Sequence, residues 1–495
     1  MLAFLITITY FFLICFFIYK HPFFHIKQFN KLLLPSIFTI KIFVAVFFYL
    51  IYTYYYTDRQ TADIFKFYDD SLLLYDVFKE SPKDFFRLIV NQENTPLQQA
   101  YVAQMNFWNN SNPNEWYNDS RLMIKVNALL QFISFGYYGV HLVVFTFLSF
   151  VGFTLIFRAL EPFFYSKKQL LVVVFFIPSV MFWSSGVSKE SLLFLGLGLF
   201  LYAFFKPSNI KKWLLLLLAM VVLLLIKPYI ILLILPAFVI YSLIEKYQIK
   251  TPVIIYLTTY VGLFLMTVLA GHFFPQYNVV SQIVTKQNNF INMAQGGVYM
   301  NNNEGEVRVP YEKIENVIFI NDTLCRIKLN TSYEFRQKGT TNFIPVAQNT
   351  NDTTIYEVHF NQAPSGSLIH TQKIENHWMD LLLSLPKAWY HAMFKPFLLS
   401  SKNPLLLLSG IENCCVFLLM IVAVIFRKQQ LKLNLIVLFL IASTILMMFV
   451  GLTTPVMGAI VRYKIPAVLF LVLALLLIMD FQHPFWKKLL KRNSH

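Results

Sequence analysis

The sequence runs to 495 residues, is 57% hydrophobic with 52 phenylalanines, and carries a formal charge of +16 although only 13% of its residues are charged. A soluble domain averages about 25% charged residues, so the composition excludes an ordinary soluble chain and assigns the positive charge to membrane topology rather than to nucleic acid. Four cysteines, Cys15, Cys325, Cys414 and Cys415, three of them inside apolar runs, leave neither a disulfide framework nor a cysteine-based metal site.

Leu2–Tyr19 is apolar with no basic residue before it and Lys20 after it, the reverse of a cleavable signal peptide. It reads as a retained span with the N-terminus outside. Further spans are expected near 37–56, 138–157, 169–185, 191–205, 210–226, 229–244, 252–272, 404–426, 433–452 and 465–479. The fold class is therefore an α-helical polytopic membrane protein of about eleven transmembrane helices, a bilayer crossing taking about 20 residues. In this topology 20–41 and the other cytoplasmic segments are strongly net positive, while the long outer loops 57–122 and 273–385 are net negative. That asymmetry follows the positive-inside rule and leaves the C-terminus in the cytoplasm.

The first outer loop opens with an amphipathic stretch, Thr57–Glu80. On a helix, Ile64, Phe67, Tyr68, Leu72 and Tyr75 share one apolar arc, and Asp63, Lys66 and Asp70 recur at i, i+3 and i+7 on a strip beside it. Such a helix is expected to lie on the membrane surface, apolar side down, with its carboxylates at the lipid–water boundary. An enzyme acting on a lipid-linked substrate needs its base there. Asp58, Asp63, Asp69 and Asp70 crowd together closely enough to bind a divalent cation through oxygen, or to raise the pKa of one acid into the range of a base. A solvated helix face is the commoner fate of such a run. Ser81–Phe86 predicts a second interfacial helix, and Asn109–Asp119 an ordered loop.

Lys125, Lys189, Lys227, Lys387, Lys395, Lys402, Arg462 and Lys464 sit at outer ends of spans, against the positive-inside trend, with only Glu190 and Glu412 beside them. Cations there suit an anionic headgroup such as a prenyl phosphate; snorkelling to the interface is the plainer account of each. Lys189, Lys227 and Arg462 are expected to converge on one anionic ligand. Ser188 is placed to cap the following helix with Glu190 in its first turn, and Lys227-Pro228 begins another.

The second outer loop alternates like a set of strands at 307–311, 317–320, 326–329, 333–335 and 355–360. Its histidines His359, His370 and His377 lack metal-ligand spacing. Asp380–Phe397 predicts an amphipathic helix returning to the membrane, and Glu412 is an ionisable group just inside the next span. The expected organisation is thus 1–272, N-terminal spans with the outer loop 57–122; 273–385, a small β-rich outer domain; and 386–495, an interfacial helix with the C-terminal spans.

Three short motifs carry a resemblance. Asp63-Ile-Phe-Lys-Phe-Tyr68, Ser184–Glu190 before an apolar span, and Arg462-Tyr463-x-x-Pro466 before the last apolar run resemble, in order and placement, motifs of the C-type glycosyltransferase superfamily. The likeness is to its protein-mannosyltransferase and aminoarabinose-transferase branches. Phe67 stands where that family has tyrosine unless Tyr68 takes the place by a one-residue shift, and Lys189-Glu190 stands where it has aspartate. The resemblance implies transfer of a sugar from a polyprenyl-phosphate donor to a glycan, lipid or protein acceptor at the outer face of a bacterial inner membrane. Asp63 is then the base, and Asp70, with Asp69, assists or holds a metal. Lys189, Lys227, Arg462 and Lys464 bind phosphate, supported by Tyr68, Glu190, Glu412 and Tyr463. A polysaccharide polymerase of the O-antigen type and a flippase of lipid-linked sugars are the rival expectations.

Overall fold

The structure is a computed structural model that describes all residues except 57–58, 60–61, 93–96, 98–99, 106, 109–117, 207–208, 275–277, 302–304, 322–323, 338–343, 370–376, 399–402 and 485–495. Asp58, most of the 109–119 loop, His370 and Lys402 therefore lie outside the described residues. The chain divides into two compact units, Met1–Asn110 with Glu115–Leu235, and Ser111–Asn114 with Pro236–His495.

In the first unit α1 (Leu2–Lys20) and α2 (Leu33–Tyr54) are apolar throughout. α2 starts earlier than its hydropathy predicts, because Pro35 falls in the first turn, where a missing N–H costs nothing. Lys41, placed by the sequence reading in a cytoplasmic segment, consequently lies inside the helix and is only 1% exposed. α3 (Asp63–Glu80) is followed by α4 (Pro82–Ile89), whose cap Ser81 accepts a hydrogen bond from the Asp84 N–H. Asn118 caps α5 (Asp119–Ser134) at two N–H groups, and left-handed Phe135 and Gly136 turn the chain into α6 (Tyr138–Leu160).

The apolar side of α3 is covered in large part by protein. It packs against α5, burying Ile64, Phe65, Phe67, Tyr68, Asp70, Ser71, Leu74 and Val77; of the expected arc Ile64, Phe67 and Tyr68 are buried, while Leu72 and Tyr75 are only half-buried.

α7 (Lys167–Phe176) breaks at the extended Ile177, before Pro178 starts α8 (Pro178–Trp183). α9 (Lys189–Phe205) and α10 (Ile210–Ile226) follow, and α11 (Pro228–Tyr247) carries Pro236, at which the two units divide. α6 and α9 cross with almost no side chain between them: a Cβ on Gly198 would lie 2.2 Å from the Gly152 carbonyl oxygen. Small residues at a crossing are how membrane helices approach closely.

The second unit contains α12 (Pro252–Phe273) and α13 (Val279–Gln295), then an antiparallel sheet. Its strands are β1 (Gly297–Asn301), β2 (Gly305–Val309), β3 (Val317–Phe319), β4 (Leu324–Ile327), β5 (Tyr333–Gln337), β6 (Ile344–Val346) and β7 (Tyr356–Gln362), in the spatial order 3-4-7-1-2-5-6. All five expected strand segments are present, joined by β1 and β6. One face buries Val298, Met300, Val307, Val309 and Ile327. The β2–β5 register sets Arg308 against Glu334 and Glu306 against Arg336, and both pairs close as ion pairs. α14 (Trp378–Phe394) then packs on α16 (Leu433–Thr453), with α15 (Pro404–Ile425) between them in sequence. The short α17 (Met457–Tyr463) and α18 (Ile465–Ile478) meet at a 55° bend.

Among the described residues, seven helices are long and apolar enough to cross a membrane: α1, α2, Tyr138–Phe163, α11, α12, α15 and α16, with α17–α18 an eighth if the bent pair is one span. The protein is an integral membrane protein. The expected count of about eleven is not reached on length, because α7–α8 is broken and α9 and α10 have 17 residues each, about 25 Å of helix.

Candidate functional site

The site is built on α3. Asp63 lies in its first turn, where the helix dipole favours a carboxylate, and pairs with Lys66 one turn on at 2.6 Å. The Lys66 ammonium lies 5.0 Å from the Phe67 ring and 4.8 Å from that of Phe107. Asp70, at the far end of the same strip, is 2% exposed and accepts a 2.7 Å hydrogen bond from the Phe107 backbone N–H. Both expected catalytic carboxylates are thus tied to the region around Phe107.

A second cation reaches Phe67 from α9. Ser188 caps that helix by accepting from the Ser191 N–H, and the next residue, Lys189, places its ammonium 4.7 Å from the Phe67 ring. Lys189 is held at 2.7 Å by Asp119, the first residue of α5. Asp119 is a residue the sequence reading passed over; its place directly after the cap Asn118 was the signal. Two ammonium groups therefore flank one aromatic ring, each balanced by its own carboxylate. A ring face attracts cations, by about 0.5–2 kcal/mol depending on desolvation.

The neighbouring residues have other partners. Asp69 makes a two-pronged pair with Arg59, at 3.0 and 2.6 Å, on the exposed side. The Tyr68 hydroxyl donates to the Gly136 carbonyl at 2.6 Å and its ring packs edge-on against Tyr138 and His141; burial pushes its phenol up from the ordinary value. Tyr68 thus anchors α3 to the α5–α6 turn. Among the described residues no three His, Cys, Asp or Glu side chains converge as metal ligands. The described carboxylates of the aspartate run diverge to Lys66, Arg59 and the Phe107 N–H, so the expected shared cation site is not formed by them.

Behind Lys189, Glu190 is fully buried and accepts at 2.8 Å from Lys227, the residue preceding α11. Lys227 is engaged with this acid and ties the start of α11 to the first turn of α9. Under the same loop, Lys41 donates to the Ser184 hydroxyl at 2.7 Å and lies 4.6 Å from the Phe153 ring. Ser184, Ser185, Ser188 and Ser191 are all buried there.

Arg462, Lys464, Tyr463 and Glu412 belong to the second unit. Arg462 lies over Tyr463 at 5.9 Å, and Tyr463 packs edge-on to Phe290. The buried Lys464 ammonium donates to Asn413 Oδ1 at 2.7 Å and to the carbonyls of Ala392 and Lys395 at 3.0 and 3.3 Å. Its three protons are taken up by these protein acceptors. Glu412, next to Asn413, is buried and is the acid whose charge reaches Lys464.

The chain matches none of the protein-family models, curated proteins or solved structures with which it was compared.

Proposed function

We propose that the chain is a membrane glycosyltransferase that moves a sugar from a polyprenyl-phosphate-linked donor to a glycan, lipid or protein acceptor at the outer face of a bacterial inner membrane. The observation that carries the reading is the pair of ammonium groups at Phe67, each balanced by a carboxylate, with buried Asp70 alongside. An arriving lipid phosphate competes with Asp63 and Asp119 for Lys66 and Lys189. Asp63, released from Lys66, takes the proton of the acceptor hydroxyl as its oxygen attacks the anomeric carbon. The bond from that carbon to the phosphate oxygen breaks, the phosphate leaves with the electron pair, and the two ammonium groups meet its charge in a partly dry site.

In the topology of this proposal α7–α8, α9 and α10 also cross, which restores eleven spans, with the N-terminus outside and the C-terminus cytoplasmic. Helices of 17 residues reach the lower limit for a crossing. A flippase for lipid-linked sugars is the second reading, favoured by Lys41, an ionisable group buried inside a span. One experiment separates them. The purified chain is placed in liposomes with a radiolabelled prenyl-phosphate sugar and an acceptor extract. Label moving from the lipid to the acceptor fraction is the expected result; label that crosses the bilayer while still bonded to lipid supports the flippase and contradicts the transferase.

A further inference from the structure

Within the second unit, the last two turns of α14 carry a group of charges that the transferase reading leaves unused. Lys387, His391 and Lys395 follow one another at i, i+4 and i+8, on one stripe of the helix and its cap. His391 is 5% exposed, and its buried Nδ1 has no hydrogen-bond partner. Among the described residues no carboxylate lies within ion-pair distance of Lys387 or Lys395. A third ammonium, that of Lys464, donates to the Ala392 and Lys395 carbonyls, and the charge of Glu412 reaches it.

The cationic excess has consequences for the histidine. Burial, then the charge of Lys395, then that of Lys387 push its imidazole down to about 4, so it is neutral at physiological pH. Burial and the charge of Lys387 lower Lys395 as well. The negative end of a helix dipole accounts for a cation at Lys395. It does not account for Lys387 two turns earlier, nor for a buried ring nitrogen with nothing to bond. On α15, which packs against α14, the Ser409 hydroxyl is a further buried group without a partner.

We propose that Lys387, His391 and Lys395 form a binding site for a phosphoryl group, the two ammonium groups supplying charge and the neutral imidazole a hydrogen bond from Nδ1. An anion relieves the repulsion between the lysines and satisfies the buried nitrogen in one step. A metal does not fit, since lysine ammonium groups repel it. The ligand is a phosphate monoester at a lipid headgroup or a free phosphate, two sources with the same chemistry.

The test uses the full chain in phosphatidylcholine nanodiscs, titrated with farnesyl phosphate, with inorganic phosphate, and with farnesol as the uncharged control, read as a rise in unfolding temperature. Farnesyl phosphate is expected to stabilise the chain and farnesol to leave it unchanged. Lys387→Gln and Lys395→Gln should each weaken the affinity about tenfold, the size of one charge-assisted hydrogen bond. Lys387 is exposed, so its variant folds as the parent does. Saturable stabilisation by inorganic phosphate identifies a free-phosphate site; stabilisation by farnesyl phosphate alone identifies a headgroup site. No stabilisation by either anion, or equal affinity in the parent and both variants, overturns the proposal. The site does not depend on the transferase reading. A chain that transfers no sugar yet loses phosphate affinity on Lys387→Gln contradicts that reading and leaves the site standing.

Discussion

At the scale of single residues the first unit is governed by two buried cations with different partners. Lys227 has Glu190 at 2.8 Å, whereas Lys41 has a serine hydroxyl and an aromatic face. Removing one member of a buried ion pair strands the other charge, typically at about 3–5 kcal/mol, whereas replacing both by apolar groups is often neutral. Glu190→Gln should therefore destabilise the chain strongly, and Glu190→Leu with Lys227→Met should recover most of the loss; unfolding in detergent measures both. Lys41→Met, which keeps the stem and removes a buried charge, should leave stability unchanged or raise it. A loss in Lys41→Met as large as that in Glu190→Gln would mean that Lys41 has a counter-charge. Neither environment was legible in the sequence. Lys41 stood at the end of the expected cytoplasmic segment 20–41, where the span expected from 37 had already begun, and the Lys227–Glu190 pair joins residues 37 positions apart.

At the scale of elements, period and capping were readable where local chemistry decides them. The helix of 63–80, the Ser188 cap, the start of α11 at Pro228 and five strands of the sheet follow from spacing and turn residues. What α3 packs against was not readable. A broad apolar arc allows several faces, and burial of Asp70 depends on an N–H that arrives 37 residues later. The contact between α6 and α9 gives a sharper test. At Gly198 a methyl group meets the Gly152 backbone, whereas at Gly262 on α12 nothing lies within 4 Å. Gly198→Ala should cost about 1–3 kcal/mol or more, as overpacking does, and Gly262→Ala should be silent. Equal unfolding midpoints for the two variants would contradict the crossing.

At the scale of the whole molecule the proposed transfer reaction takes its base from the α3 carboxylates and part of its phosphate contact from the α9 lysine. The sequence carried the apolar spans and the family-like motifs, but it did not carry all of the counter-ions. The Asp63–Lys66 pair lies within one helix and follows from spacing, whereas Asp119 meets Lys189 only when α5 and α9 are folded together. The most direct measurement is transfer from a radiolabelled prenyl-phosphate sugar by purified parent, Asp63→Asn and Asp119→Asn chains, with equal insertion verified for each. Loss of a general base lowers the rate by about 10²–10⁴-fold, so Asp63→Asn should fall by at least about 100-fold. Asp119→Asn, which frees Lys189 without removing the base, should retain most of the activity. Transfer by Asp63→Asn at the parent rate would contradict the account.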